Sequence, residues 1–310
     1  MRIAVIGAGG VGGYFGARLA AAGHDVWFVA RGAHLAAMQK DGLTVASPLG
    51  DIVLESVNAT SDIAQIGVVD YVLLAVKSWQ FPSVLSALPG LLGPSTAVVT
   101  TQNGVSAPDE VAEVIGRDAV LPGAAMVIAY IEEPGLIRHV GAGALTFGEW
   151  DNHKSPRVLA LQEALQSAGA KAMVPDDIWS ALWAKFSFIA PVGGLGSVTD
   201  APLGILRSRP GTRRLLIKAM EEVQLLAADH GVSLPEDIVA RNMASVDGEP
   251  PEATSSMQRD LAAGRPTELE TWSGAVVRLA AKSGTPVPTH EFIYEVLAVR
   301  AAEPPEPAAA

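Results

Sequence analysis

Lys185 is the residue of this 310-residue sequence whose surroundings point most directly to chemistry. It is the only charged side chain between Asp177 and Asp200, and apolar residues dominate on both sides of it, over 182–184 and 186–189. Burial in such surroundings disfavours an ammonium group and lowers its pKa, which allows a lysine to exchange protons near neutral pH. The alternative is a lysine whose stem packs on apolar surface while its head reaches water. The residues leave both interpretations open.

Two polar residues follow apolar strands in the first half of the chain. Lys77 comes directly after the run Tyr71–Val76, and Asn103 comes directly after Val98–Gln102. Because the carboxyl ends of strands in an open parallel sheet face the ligand crevice, both side chains are candidates for contacts with a phosphate, a ribose or a substrate. The alternatives are a solvated loop lysine and a simple turn at Asn103-Gly104.

A glycine fingerprint lies between the first apolar run and a helical stretch, and it has the form GxGxxG. In this context Gly7 permits a tight turn, Gly9 lets the backbone approach a pyrophosphate, and Gly12 lets helix and strand pack closely. The helix amino end, which includes Gly10 and Val11, supplies N–H donors and partial positive charge. The pattern predicts that these five residues bind a dinucleotide, against the alternative of a glycine-rich turn without a ligand.

The end of the second apolar strand indicates which nicotinamide cofactor is bound. Enzymes that use NAD carry an acidic residue there, which hydrogen-bonds the ribose 2′-hydroxyl. Here the strand Val26–Val29 is followed by Ala30 and Arg31, and a guanidinium suits a 2′-phosphate through paired hydrogen bonds. The sequence therefore predicts NADP or NADPH, with an ordinary surface arginine as the alternative interpretation of Arg31.

Composition excludes several other classes of function. The chain carries 22 Lys+Arg and 33 Asp+Glu, and its net charge of −11 makes it a poor candidate for binding nucleic acid or an anionic membrane. It has no cysteine and six scattered histidines, so we expect no disulfide and no catalytic metal. A strand begins at Ile3 and leaves no room for a signal peptide, so we expect a cytoplasmic protein.

The pattern of apolar runs predicts an α/β fold with two domains. Short β-branched runs alternate with helical stretches up to about residue 130, which is typical of a mostly parallel sheet covered on both faces. A hairpin over 43–57 interrupts the alternation, and helical periodicity dominates from residue 176, with one helix over 267–283. The expected divisions are an NADP-binding Rossmann domain over 1–175, an all-α substrate and catalytic domain over 176–303, and a disordered tail over 304–310.

Glu268 and Ser256 have ordinary structural interpretations. Thr267 and Glu270 fit the capping box of a helix, in which Glu268 only favours the helix amino end. Ser256 lies in a Ser-Ser-Met-Gln segment that fits another helix start. Taken alone, neither residue indicates a function.

Several segments, in their order and spacing, make the chain resemble the ketopantoate reductase family (2-dehydropantoate 2-reductase). The most specific is a Ser-Ser-Met-x-x-Asp segment followed twelve residues later by Thr-Glu. The segments are Gly7–Gly12, Ala75–Ser78, Gln102–Gly104, Leu182–Lys185, Ser255–Asp260 and Thr267–Leu269. The resemblance covers nearly the whole chain, and it implies a Rossmann domain followed by a helical domain, with the active site in the interdomain cleft.

The resemblance also implies roles for individual residues in an NADPH-dependent reduction of a 2-oxo acid. Lys185 would be the catalytic lysine that supplies or stabilises the proton of the new hydroxyl, and Glu268 would be its carboxylate partner. Asn103 would orient substrate and nicotinamide, Ser256 would bind the substrate carboxylate, and Lys77 would contact cofactor and substrate.

One departure from the family concerns the substrate. Family enzymes acting on ketopantoate typically carry two substrate-binding asparagines, four and eight residues after the catalytic lysine, whereas this chain has Ile189 and Gly193 there. A site that loses hydrogen-bonding partners loses discrimination. We therefore expect 2-dehydropantoate or a related 2-oxo acid, one that is bulkier or lacks the 4-hydroxyl.

Two other functions, and the assembly of the chain, stay open at this point. The chain resembles less closely the β-hydroxyacid and opine-type dehydrogenases, which also join a Rossmann domain to a helical one. A redox sensor that binds NADP without catalysis is the alternative from a different class, although the pairing of Lys185 with Glu268 argues against it. A large helical second domain is compatible with a homodimer by fold-level analogy.

Overall fold

The computed structural model describes residues 1–301, so the tail predicted over 304–310 lies outside the described residues. The chain folds as two compact units, Met1–Ala181 and a second unit that begins at Leu182. The strands are β1 Arg2–Ile6, β2 Asp25–Val29, β3 Leu43–Ala46, β4 Ile52–Leu54, β5 Asn58–Thr60, β6 Tyr71–Leu74, β7 Ala97–Thr100, β8 Val120–Leu121, β9 Gly123–Glu133, β10 Leu136–Phe147 and β11 Lys171–Met173.

The helices alternate with the strands in the first unit and follow one another in the second. They are α1 Gly10–Ala21, α2 Gly32–Asp41, α3 Phe81–Val84, α4 Ala107–Ile115, α5 Pro156–Ser167, α6 Ile178–Thr199, α7 Leu203–Ser208, α8 Pro210–Asp229, α9 Ile238–Gly248, α10 Ser256–Ala262, α11 Ser273–Ser283 and α12 Pro288–Ala301.

The main sheet of the first unit has the order β5-β2-β1-β6-β7-β8, and every neighbouring pair in it is parallel. When these strands are counted along the chain, the order is that of the Rossmann fold, and it reverses between β1 and β6. Ligands of open α/β sheets bind outside the carboxyl ends of the strands at that reversal. The predicted fold class is therefore confirmed, and the reversal marks the edge of the sheet where the predicted cofactor-binding residues lie.

Strand β1 explains why the sheet strands read as continuous apolar runs. Ile3 and Val5 pack into one buried core, whereas Ala4 and Ile6 pack into another on the opposite face of the sheet. Because both faces are covered, the four residues Ile3–Ile6 are all buried and alternation with polar residues disappears.

A second, five-stranded sheet joins β11, β10, β3 and β4 in that order, and β9 pairs with β10. The predicted hairpin is present as the antiparallel pair β3 and β4, although β4 ends at Leu54. Strand β9 passes so close to α1 that a Cβ at Gly10 would lie 2.1 Å from the carbonyl oxygen of Ala129. The adjacent Gly9 and Gly10 of the fingerprint therefore serve the packing of α1 against β9 as well as the approach of a ligand.

All the regular secondary structure in the described residues of the second unit is helical, as predicted. Three local predictions are wrong or incomplete: the helix expected over 267–283 begins only at Ser273, and α7 and β5 were not predicted. Helix α6 is long and apolar enough to cross a membrane, but 61% of its most apolar window is buried inside the protein. Most of this apolar window is therefore packed inside the protein.

Candidate active site

The glycine loop joins the carboxyl end of β1 to α1 in a conformation that requires glycine. Gly7 has a φ of +101°, and a Cβ there would lie 2.8 Å from the side chain of Val76, two residues after β6. A Cβ at Gly12 would lie 2.2 Å from the carbonyl oxygen of Gly7. At Gly9, in contrast, a Cβ would meet nothing within 4 Å. The loop is therefore packed tightly against the sheet and leaves open space over Gly9.

The start of α1 fits the pyrophosphate of a dinucleotide. Gly9 is the N-cap and provides no side-chain cap, and the first turn carries no acidic residue. The first hydrogen bond of the helix runs from the N–H of Gly13 to the carbonyl of Gly9, at 2.7 Å. The N–H groups of the first turn precede that bond and, with the helix dipole, favour an anion. Open space over Gly9 and this donor set are what a bound pyrophosphate needs.

His34 hydrogen-bonds the glycine loop, and the sequence analysis assigned it no role. Its Nδ1 accepts from the N–H of Gly135 at 3.0 Å, which leaves Nε2 protonated to donate to the carbonyl of Ala8 at 2.9 Å. Burial lowers the pKa of His34, in agreement with a neutral ring in these two bonds. A histidine at the start of α2 was visible in the sequence, but its partners lie 26 and 101 residues away.

Arg31 lies where the sequence places it, directly after β2 and at the N-cap of α2. Its side chain is exposed and donates a 3.3 Å hydrogen bond to the Oγ of Ser83. The carboxyl ends of β1 and β2 are in register, with Ile6 paired to Val29. Arg31 is therefore an exposed cation at the same sheet edge as the glycine loop, in the position expected for a 2′-phosphate contact.

Gln102 fixes the two strand ends that carry Lys77 and Asn103, and it is a second residue without a predicted role. Its buried amide donates to the carbonyls of Leu74, at 2.7 Å, and Val76, at 2.8 Å, while its Oε1 accepts from the N–H of Thr101 at 3.0 Å. These bonds tie the end of β7 to the end of β6. Both predicted residues are half-buried beside this clamp, so the structure brings them to one edge of the sheet.

Lys185 lies in the second turn of α6 among large apolar side chains. Trp183 and Phe186 are buried and meet edge to face, with ring centroids 5.8 Å apart. The lysine itself is half-buried. Burial lowers its pKa from 10.5 to about 8, and the charge of Glu268 opposes that effect. Of the two interpretations of Lys185, this environment favours a lysine that exchanges protons and not one whose head is fully solvated.

Glu268 is buried, and it does not lie at the amino end of a helix, where its ordinary structural interpretation placed it. It stands in a turn whose N–H groups at Thr271 and Trp272 donate to its carbonyl, at 3.1 and 3.0 Å, before α11 begins. Glu270, the expected capping carboxylate, instead pairs with Arg278 at 2.7 Å. The capping-box prediction is wrong, because the chain uses this segment to turn rather than to start a helix.

Ser256 is the first residue of α10, but the cap of that helix is its neighbour. The Oγ of Ser255 accepts from the N–H of Gln258 at 3.0 Å. Ser256 is half-buried, and the structural role considered for it belongs to Ser255. Its hydroxyl is therefore not needed to start the helix, which keeps it a candidate for substrate contact.

Ile189 and Gly193 follow Lys185 at intervals of four residues on α6. Residues so spaced lie along one side of a helix. Ile189 is half-buried, whereas Gly193 is buried under the ring of Trp272, which lies 2.2 Å from where a Cβ would stand. This stripe of α6 is thus apolar beyond Lys185, and no side chain fits at position 193 as the structure stands.

Residues 1–301 contain no group of three or more His, Asp or Glu side chains placed to hold a metal ion. The chemistry assembled in the two units is of another kind. The first unit offers backbone amides and an exposed cation, which suit an anionic cofactor. The second offers a lysine with a lowered pKa near a buried carboxylate, which suits proton transfer.

Comparisons with known proteins agree with this assignment. The family profile described as "Ketopantoate reductase PanE/ApbA" matches residues 3–152, and its "C terminal" counterpart matches residues 177–301. The 2-dehydropantoate 2-reductase of Mesorhizobium japonicum is 33% identical over 96% of this chain and 97% of its own length. The chain therefore belongs to the ketopantoate reductase family, as its motifs indicated.

Solved structures give the same result for the fold. A PanE/ApbA family ketopantoate reductase from Ralstonia eutropha has a TM-score of 0.89 and 30% identity, covering 97% of this chain and 98% of its own. A D-mandelate dehydrogenase, solved with NADH and anilino(oxo)acetate, has a TM-score of 0.88 over 97% of this chain and 98% of its own. At 22% identity the second comparison establishes the fold alone.

Proposed function

We propose that the protein is an NADPH-dependent reductase that converts a 2-oxo acid, 2-dehydropantoate or a close relative, to the corresponding 2-hydroxy acid. The observation that carries the proposal is Lys185, whose pKa is lowered to about 8 by burial in the presence of Glu268. A family whose members are named 2-dehydropantoate 2-reductase supports the reaction class. A non-catalytic sensor would not need a lysine desolvated among apolar side chains, since that environment disfavours its charged form.

The first unit would bind the cofactor. The N–H groups at the start of α1 would hold the pyrophosphate, and the guanidinium of Arg31 would hold the 2′-phosphate. When bound, NADPH supplies a hydride to the carbonyl carbon of the substrate. Lys77 and Asn103, at strand ends tied together by Gln102, would contact the nicotinamide side of the cofactor and the substrate.

The second unit would supply the proton. The ammonium of Lys185 donates to the carbonyl oxygen as negative charge develops there, and this charge stabilisation is the main task left to the protein. Desolvation brings the pKa of Lys185 down towards neutral pH. The charge of Glu268 opposes this effect, so that most of the lysine stays protonated at pH 7. A lysine in that state gives up its proton more readily than a solvated one while still carrying it.

Substrate binding would fall to Ser256 for the carboxylate and to the α6 stripe for the rest of the molecule. Ile189 and Gly193 give no hydrogen-bond donor or acceptor from their side chains. A hydroxyl on the substrate chain would lose its contacts with water there and gain none from these two residues. The proposal therefore favours 2-oxo acids without the 4-hydroxyl.

The experiment is a panel of 2-oxo acids assayed by NADPH oxidation, with each acid also assayed with NADH. We expect turnover with at least one small acid and a preference for NADPH. A protein that binds NADPH but oxidises it with no member of the panel would be a sensor, and the proposal would fail. A β-hydroxyacid or opine-type dehydrogenase would be indicated by turnover of 3-hydroxy acids or of 2-oxo acid and amine pairs.

The same proposal extends to the place and assembly of the enzyme. We expect a cytoplasmic protein that serves pantothenate biosynthesis if 2-dehydropantoate is the preferred acid. We also expect the protein to form a homodimer and to have a functional domain border near residue 175. Size-exclusion chromatography with light scattering measures the first, and limited proteolysis locates the second.

A further inference from the structure

The five-stranded sheet of the first unit has one face in the core of that unit and one face outside it. Leu43, Val45 and Ile137 are buried in the core that also contains side chains of α1. Side chains alternate along a strand, so the residues between these project from the opposite face of the sheet. When one face of a sheet is solvated, polar side chains ordinarily occupy it.

The outer face of this sheet is apolar instead. Met126, Ile128 and Tyr130 alternate along β9 and form a row on one side of that strand. Val140 lies beside the row on β10, next to Gly141, which is the partner of Ile128. The three row residues and Val140 are each 50–55% exposed. Single apolar residues are common on protein surfaces, but a contiguous group of this kind marks a contact with another molecule.

The strand register extends this face to β4. Tyr130 pairs with Arg138, and Arg138 pairs with Ala46 of β3. Two residues earlier on β3, Thr44 pairs with Val53, which is 68% exposed. Because paired residues share a face of the sheet, Val53 lies on the same side as the β9 row. We call this surface the open face, and it consists of Val53, Met126, Ile128, Tyr130 and Val140.

The charge beside the open face is neutralised within the chain. Arg138, the cation paired with Tyr130, donates from Nε and Nη2 to the carboxylate of Glu132, at 3.0 and 2.7 Å. The chain as a whole has a net charge of −11, so two copies repel each other over most of their surface. That repulsion is weakest over an apolar face whose cation is already paired. A second copy can therefore approach here, whereas a strongly charged partner gains little from this face.

The size of the open face fits one side of a stable interface. At about 150–200 Å² for each fully exposed side chain, its five residues offer on the order of 450 Å² of apolar surface. A stable protein interface buries about 800 Å² on each partner, and a little over half of that area is non-polar. The open face thus supplies the apolar part of one side, and a second copy of the chain supplies an equal part.

We propose that two copies of the chain associate through the open face, with their sheets packed face to face about a two-fold axis near Ile128. In a two-fold contact each patch meets its own copy, and Ile128 is the middle residue of the β9 row. Packed sheets lie about 10 Å apart, and the side chains of their inner faces interdigitate. The inference rests on the homodimer of the proposed function and specifies its surface, but it is independent of the proposed reaction.

The experiment measures molar mass by size-exclusion chromatography with light scattering. We expect the unaltered protein to have twice the mass of the 32.1 kDa chain. Ile128→Asp should give the mass of one chain and raise the Kd of the dimer at least about 100-fold, because the contact would bury two carboxylates without partners. Val114→Asp is the matched control and should stay dimeric, since Val114 is 45% exposed but lies on α4.

A second variant locates the axis. The chain has no cysteine, so a disulfide in Ile128→Cys can only join the introduced thiols of two copies. Diamide, which is reduced as it oxidises the two thiols to one disulfide, should convert most of this variant to a covalent dimer on a denaturing gel. Val114→Cys, treated in the same way, should remain a single chain.

Each possible result decides the inference. NADPH binding and the urea midpoint show which variants are folded, and the crosslinking of Ile128→Cys decides the question if Ile128→Asp does not fold. A single-chain mass for the unaltered protein overturns the inference. A dimer that survives in Ile128→Asp, or equal crosslinking of Ile128→Cys and Val114→Cys, also overturns it, because another surface would then hold the copies together. Failure of the unaltered protein to oxidise NADPH with any 2-oxo acid instead rejects the proposed reaction and leaves these mass measurements unaffected.

Discussion

The two units use positive charge in different ways. Arg31, at a sheet edge of the first unit, is exposed, and its planar guanidinium offers several N–H donors to an anion. Lys185, in the second unit, is half-buried and has a pKa of about 8. A permanent exposed charge is suited to holding an anion, whereas an ammonium near its pKa is suited to releasing a proton. The first cation should therefore govern binding, and the second should govern the chemical step.

Lys185→Ala should have the largest effect, and it should fall on kcat. General acid catalysis contributes about 10²–10⁴-fold, so we expect kcat to drop by that amount while the KM for NADPH changes less than about threefold. Steady-state kinetics with the preferred 2-oxo acid measures both constants. Lys218→Ala, an exposed lysine on α8, is the control and should leave both unchanged.

The pH dependence sharpens the same prediction. Reduction needs the protonated lysine, which is the major form below its pKa of about 8. In the unaltered protein, kcat/KM for reduction should fall about tenfold per pH unit above that value, and the oxidation direction should rise instead. Lys185→Ala should lose this limb. An unchanged kcat in the variant would remove Lys185 from the chemistry.

Arg31→Ala should have the opposite kinetic signature and a smaller effect. A hydrogen bond to a charged group contributes about 1.5–3 kcal/mol, so the KM for NADPH should rise about 10–100-fold with little change in kcat. The KM for NADH, which has no 2′-phosphate, should stay within about twofold. Lys40→Ala, an exposed cation at the other end of α2, is the control. Equal effects on both cofactors would contradict the assignment.

The difference between the units also decides how much the sequence predicts. The glycine loop of the first unit is contiguous with β1 and α1, and strand ends are recognisable from the apolar runs before them. Gly7, Arg31 and Lys77 were therefore placed at their sheet edge from local sequence alone. The Rossmann strand order followed from the same alternation of elements.

The second unit resisted prediction because its contacts join residues far apart in sequence. Gly193 and Trp272 are separated by 79 positions, and nothing in the periodicity of α6 predicts which side chain covers the glycine. The sequence also favoured a helix start at Thr267, whereas the packing around Glu268 requires a turn. Restoring an asparagine at 193 looks simple in the sequence, but the structure requires a change at Trp272 as well.

His290 is a useful comparison for Lys185, because burial lowers the pKa of both side chains but only Lys185 is assigned a role in proton transfer. It is fully buried on α12, and its Nε2 donates to the carbonyl of Ala219 at 3.2 Å. Desolvation lowers its pKa from 6.5 to about 4, so it is a second basic side chain of this unit whose pKa is lowered by burial. Its neighbour Glu222 accepts the N–H groups of Thr289 and His290, at 2.8 and 3.0 Å, which is a structural role.

The expected effect of His290→Gln is small and confined to acid stability. Below pH 6.5 the unfolded chain binds a proton that folded His290 refuses, so stability falls as the pH drops towards 4. Between pH 7 and 5 this costs the unaltered protein about 2 kcal/mol of unfolding free energy, measured by urea titration at both pH values. His290→Gln should remove that component, whereas His230→Gln, at an exposed histidine, should not. The kcat at pH 7 should be retained, because no role in proton transfer is assigned to His290. A loss of kcat as large as that of Lys185→Ala would contradict the assignment of the chemical step to Lys185 and its placement near Glu268.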